Sequence, residues 1–137
     1  KKLGLWHPDD ETAWCGLFVA HCIGQAIPNE PQPANPLGAR TWQNFGAGLK
    51  DAAPGALLVF WRGTRNGWQG HVGFYVGERR RDGAFRVLGG NQGNTVREDW
   101  LDRDRLLAIR WPSLYPLPIG GRVYMSDDGK PLSTNEA

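Results

Sequence analysis

The pattern that most restricts this chain is segregation: everything with a helical period comes before everything with a strand period. The polar run Asp9–Thr12 has the character of a helix N-terminus, and Trp14, Phe18 and Cys22 follow at four-residue spacing with Leu17 alongside, which predicts a helix over about 13–26. Pro28, Pro31, Pro33 and Pro36 then fill a stretch that regular helix cannot use, before Ala39–Phe45 resumes a short helical pattern. After the turn signal Pro54-Gly55, the segments 56–62, 71–78, 85–88 and 106–111 are rich in Val, Phe, Tyr and Leu and read as strands. Gly77 to Gly83 punctuates a hairpin between the second and third of these. Helices first and antiparallel strands afterwards imply an α+β architecture, with one helix packed on a small antiparallel sheet.

At 137 residues the chain fits one domain, which buries roughly two-thirds of its unfolded surface and needs no staple. We place that domain at 1–112. From Pro112 the composition turns to Pro, Gly and polar residues, so 113–137 is expected as an extension draped over the domain or partly disordered. A net charge of +2 demands neither a nucleic-acid groove nor a membrane surface, although it tolerates an anionic polymer. The longest apolar run, Ala56–Trp61, falls far short of the roughly 20 residues that span a bilayer, so no membrane insertion is expected. The chain opens on Lys1-Lys2, and no signal peptide is visible in it.

The two cysteines, Cys15 and Cys22, fall in the same expected helix. Seven residues of helix set their Cα atoms about 10.5 Å apart along the axis, beyond the ~7 Å reach of a disulfide. Both are therefore expected as free thiols, and neither a disulfide framework nor a CxxC zinc site fits their number and spacing. Cys15 falls in the first turn of the helix as predicted, where unpaired amides and the helix dipole favour a thiolate and offer donors to an oxyanion. The alternative is that Cys15 is a small buried hydrophobe like Cys22. Of His7, His21 and His71, the last opens Gly70-His71-Val72-Gly73-Phe74-Tyr75-Val76-Gly77, where glycines admit a close neighbour and an imidazole at the strand's start suits a general base. His21, six residues after Cys15 on the helix, reads as a surface or packing residue, and His7 lies in the lead-in. Asn91 and Gln92, in Leu88-Gly89-Gly90-Asn91-Gln92, are candidates to orient that imidazole, or else belong to a turn between strands.

Five pieces in order resemble the NlpC/P60 and CHAP superfamily of papain-like cell-wall hydrolases, particularly its short phage-lysin-like branch. They are Asp10-Glu11-Thr12-Ala13-Trp14-Cys15-Gly16-Leu17-Phe18-Val19, Ala39-Arg40-Thr41-Trp42, Gly55-Ala56-Leu57-Leu58-Val59-Phe60-Trp61-Arg62, Gly70-His71-Val72-Gly73-Phe74-Tyr75 and Leu88-Gly89-Gly90-Asn91-Gln92, together spanning about 9–112. The resemblance implies Cys15 as nucleophile, His71 as base and Asn91 as third polar group. It implies a papain-like fold and no cofactor or metal. The implied substrate is peptidoglycan, cut in its stem peptides or at the muramoyl–alanine amide by a monomer working in the periplasm or extracellular wall space, as a phage or prophage endolysin would.

Two departures stand out. Members often carry an acidic residue where this chain has Gly89, so the third role stays open between Asn91, Gln92 and a backbone group. Members also tend to have a helix ahead of the nucleophile helix, whereas fourteen residues precede Cys15 here. Among Trp14, Trp42, Trp61 and Trp68, only Trp68, in the polar loop before His71, is expected to face substrate. Arg40 is a candidate partner for a peptide carboxylate, and Gln92 a further substrate contact. Arg79-Arg80-Arg81 reads as a charged hairpin tip. Three rival readings remain: a zinc hydrolase using Cys15, His71 and Asp10 or Glu11, a catalytically silent wall-binding module, and a thiol acyltransferase.

Overall fold

The computed structural model describes residues 10–91, 95–130 and 132. Helix α1 spans Asp10–Ala26. It begins three residues before the expected start, and acidic residue types at the first two positions suit the positive end of a helix dipole. It ends where Ile27 N donates a last bond to Ile23 O and Pro28 prevents another turn. A 3₁₀ helix covers Ala39–Asn44.

Six strands follow: β1 (Ala47–Gly48), β2 (Leu57–Trp61), β3 (Gly70–Glu78), β4 (Phe85–Asn91), β5 (Thr95–Leu101) and β6 (Leu106–Trp111). They form one sheet in the order β1-β6-β2-β3-β4-β5, every neighbouring pair antiparallel. The architecture is therefore α+β, with α1 packed across β3 and β4.

Three strands differ from the sequence reading: β1, a two-residue strand beside β6, is not among those expected, and β4 and β5 differ as follows. β4 does not stop at Leu88 but continues through Gly89 and Gly90 to Asn91, in register with β5 down to the pair Asn91 and Thr95. β5 itself carries no apolar alternation, because it is an edge strand with mostly exposed side chains. Charge and aromatic contacts hold it instead: Arg86 pairs with Glu98 at 3.1 Å, and the guanidiniums of Arg79 and Arg86 lie 4.4 and 5.2 Å from the Trp100 ring.

Strand alternation sorts the core into two layers. Val59, Val72 and Leu57 turn toward α1 and pack with Cys15, Val19, Ile23, Ala39, Trp42 and Phe45. Leu58, Phe60, Tyr75, Phe85, Val87 and Trp111 form the opposite layer. The chain beyond Pro112 packs against that second layer. Val123 N donates to the Tyr75 hydroxyl, Tyr124 bridges Glu78 in parallel, and Met125 is buried so closely on Gly77 that a Cβ there would collide with it. Buried Glu30 anchors the start of this stretch, accepting from Ser113 N, Ser113 Oγ and Leu114 N at 2.9, 2.7 and 2.7 Å.

Candidate active site

Cys15 is the sixth residue of α1 and is 0% exposed. The earlier helix start moves it out of the first turn, so the four leading amides that a helix leaves unpaired belong to residues 10–13. The proline-rich loop crosses α1 at the next position: a Cβ on Gly16 would collide with Pro36 O, and buried Leu37 follows. Cys15 itself is buried in the layer that holds Val72, Ala39 and Trp42. Cys22 is half-buried, and burial raises its thiol above the ordinary value. Both cysteines are free thiols.

His71 is the second residue of β3 and is 7% exposed. It pairs across the sheet with Phe60, so its side chain belongs to the Phe60 and Tyr75 layer, while its neighbour Val72 shares the layer of Cys15. The two glycines of β4 read out the same alternation. A Cβ on Gly89 would stand 3.0 Å from His71 Nε2, whereas a Cβ on Gly90 would stand 2.7 Å from Trp14 O and Phe18 Cβ of α1. The imidazole therefore occupies the space over Gly89, and the helix the space over Gly90. That is a physical reason for glycine at 89.

On its other nitrogen, His71 Nδ1 meets Arg62 Nη2 at 3.4 Å. A guanidinium only donates, so this contact is a hydrogen bond only while Nδ1 is unprotonated. Arg62 was not singled out by the sequence reading. Only the register that pairs Phe60 with His71 brings it to the ring.

Antiparallel pairing sets the start of β3 beside the end of β4. Because Trp14 packs over Gly90, the turn of α1 that bears Cys15 lies at that same end of the sheet. Asn91 is the last residue of β4, but its side chain lies outside the described residues, as does Gln92 altogether. A groove of about 320 Å³ runs alongside, lined by Trp14, Phe18, His21, Gly90, Thr95 and Val96 among others. His21 is exposed in its wall.

Arg40 is committed elsewhere than to a ligand. Its Nε, Nη1 and Nη2 donate to the carbonyls of Gln69, Arg65 and Thr64 at 2.7, 2.6 and 2.6 Å. Desolvation pulls its pKa below the ordinary value, although a guanidinium stays charged at neutral pH. Trp68, on the loop those carbonyls belong to, is 59% exposed. Trp61 is half-buried: Arg105 lies 5.0 Å from its ring, and its buried indole N–H has no hydrogen-bond partner among the described residues.

Among the described residues no group of three or more His, Cys, Asp or Glu is gathered as metal ligands would be. No helix among them is long and apolar enough to cross a membrane. Comparison of the chain with protein-family models, with curated proteins and with solved structures finds no match in any of the three.

Proposed function

We propose that this chain is a papain-like cysteine hydrolase that cleaves amide bonds of peptidoglycan, as an endopeptidase or an N-acetylmuramoyl-L-alanine amidase, working as a monomer in the periplasm or the extracellular wall space. The observation that carries the reading is the gathering, at one end of the sheet, of the α1 turn bearing Cys15, the start of β3 bearing His71 and the end of β4 at Asn91. In the proposed cycle His71 takes the proton of the Cys15 thiol, and the resulting thiolate adds to the amide carbonyl. The C–N bond then breaks as His71 delivers a proton to the leaving amine. Water, deprotonated by His71, hydrolyses the thioester and returns the thiol. Asn91 would orient the imidazole. Cys15 is fully buried at rest, so the reading requires the packing around it to open, and the thiol must meet the imidazole around the ends of β3 and β4 rather than through the sheet. An endolysin role for a phage or prophage fits the same chemistry.

Two observations favour a second reading, a wall-binding module that does not cleave: Cys15 is fully buried, and His71 alternates onto the layer away from it. The deciding experiment follows turbidity and released amines on purified peptidoglycan with the protein, with Cys15→Ala, and with a chelator in parallel. Cleavage abolished by Cys15→Ala and indifferent to the chelator is the outcome expected. Cleavage that survives Cys15→Ala removes the thiol mechanism, and binding without cleavage by the unaltered protein selects the silent module.

A further inference from the structure

The loop between β2 and β3 is short, polar and closed at its base, where Arg62 N donates to Gln69 O at 3.0 Å. Inside it, Gly67 N donates to Thr64 O at 3.1 Å and Gly63 takes a positive φ of 72°. Three carbonyls of this loop, those of Thr64, Arg65 and Gln69, point inward to a single side chain. That side chain is Arg40, from the 3₁₀ helix. Its stem lies flat on the backbone of Gly70, where a Cβ would stand 3.1 Å from Arg40 Cγ and 2.5 Å from Phe60 O. The fork thus holds the loop by its backbone carbonyls, while Trp68 on the same loop remains 59% exposed.

We infer that Arg40 is a positioning residue, which pre-orders the 62–70 loop so that Trp68 offers its indole face to a sugar ring of the wall glycan. The inference rests on the wall-hydrolase reading for the identity of the ligand, and on the loop geometry alone for the clamp. Charge is secondary. A planar guanidinium with donors in a fixed fork can hold three carbonyls in one plane, whereas a lysine ammonium is a compact point donor on a flexible stem and cannot reproduce that spacing. An exposed indole on an ordered loop stacks with little further loss of freedom, while the same indole on a loose loop must be ordered at the moment of binding.

The test uses the full chain and four proteins: wild type, Arg40→Lys, Trp68→Ala and the double variant. Hydrogen–deuterium exchange over 62–70 is read alongside co-sedimentation with purified peptidoglycan, neither of which needs turnover. Arg40→Lys is expected to speed exchange in the loop about tenfold or more, with the protection of α1 and β4 unchanged. It should weaken sedimentation about as much as Trp68→Ala does, and the double variant should bind no worse than Trp68→Ala alone, because the clamp acts through that indole. A merely structural arginine would instead loosen α1 and β4 as well, and its effect would add to that of Trp68→Ala. Unchanged loop exchange, or additive losses of binding, overturns the inference. A wild type that does not sediment overturns the wall reading and the glycan assignment, and the exchange comparison then decides the clamp by itself.

Discussion

Gly89 and Gly90 are adjacent on β4 yet face opposite layers, which permits a controlled perturbation. In Gly90→Ala the new methyl would stand 2.7 Å from a backbone oxygen, Trp14 O, and 2.7 Å from Phe18 Cβ. Neither atom is the end of a flexible side chain, so relief requires α1 itself to lift from the sheet, and we expect the upper part of the overpacking range, about 3 kcal/mol. In Gly89→Ala the methyl would meet His71 Nε2 at 3.0 Å and Cε1 at 3.3 Å. A ring can tilt by a few tenths of an ångström, so the cost should lie near 1 kcal/mol. For a domain of this size 1 kcal/mol moves the melting temperature by roughly 4 °C, so the two variants should melt about 12 °C and about 4 °C below the parent. Thermal unfolding gives those shifts, and the ring ¹H–¹⁵N signals of His71 supply an independent reading. They should move in Gly89→Ala and stay in place in Gly90→Ala. The assignment of His71 and α1 to opposite layers fails if the order of melting temperatures reverses, or if the imidazole signals respond to Gly90→Ala and ignore Gly89→Ala.

Further expectations concern the buried polar groups and the thiols. Burial acts to raise the pKa of Glu30, but donors from Leu114 and Ser113 outweigh it and the net shift is downward. Its carboxylate therefore stabilises the fold above the ordinary glutamate range, and that contribution is lost as the pH falls through the lower folded value; Glu30→Gln should flatten this acid limb in denaturant titrations against pH. Tyr75 donates to Glu78 Oε1 at 2.8 Å and accepts from Val123 N at 2.9 Å, so Tyr75→Phe should cost about 1–3 kcal/mol in urea unfolding and raise exchange at Val123. An unchanged midpoint would show that the stretch after β6 does not depend on that hydroxyl. Under the hydrolase reading, iodoacetamide at neutral pH with saturating peptidoglycan present should label Cys15 before Cys22, whose thiol pKa burial raises. Labelling in the reverse order, read by peptide mass, would mark Cys15 as a buried hydrophobe and favour the silent module.

Most of the fold was legible because it follows from local rules. Trp14, Phe18 and Cys22 at four-residue spacing mark α1, the prolines from 28 to 36 mark its end, and apolar runs mark β2, β3 and β6. β5 was not legible, since Thr95–Leu101 is an edge strand held by ion pairs and arginine–indole contacts with residues far off in sequence. The extension of β4 was hidden by Gly89-Gly90, which by composition signals a turn. In the fold each glycine instead leaves room on its own side of the sheet, one for an imidazole and one for a helix backbone.

The candidate site divides along the same line. Residue type and order single out Cys15 and His71, but which layer each joins depends on the parity of β3, and a strand reverses that assignment with every residue. Arg40 shows the limit from the other side. An arginine near an expected site suggests a carboxylate ligand, yet a guanidinium donates equally to any well-spaced oxygens, and here the 62–70 loop supplies them from its own backbone. If that clamp holds while the packing around Cys15 gives way, Trp68 and the buried thiol have separate roles: a fixed loop that can engage the wall first, and a nucleophile uncovered only afterwards. Substrate would then accelerate the labelling of Cys15, whereas in a silent module saturating peptidoglycan would leave that rate unchanged.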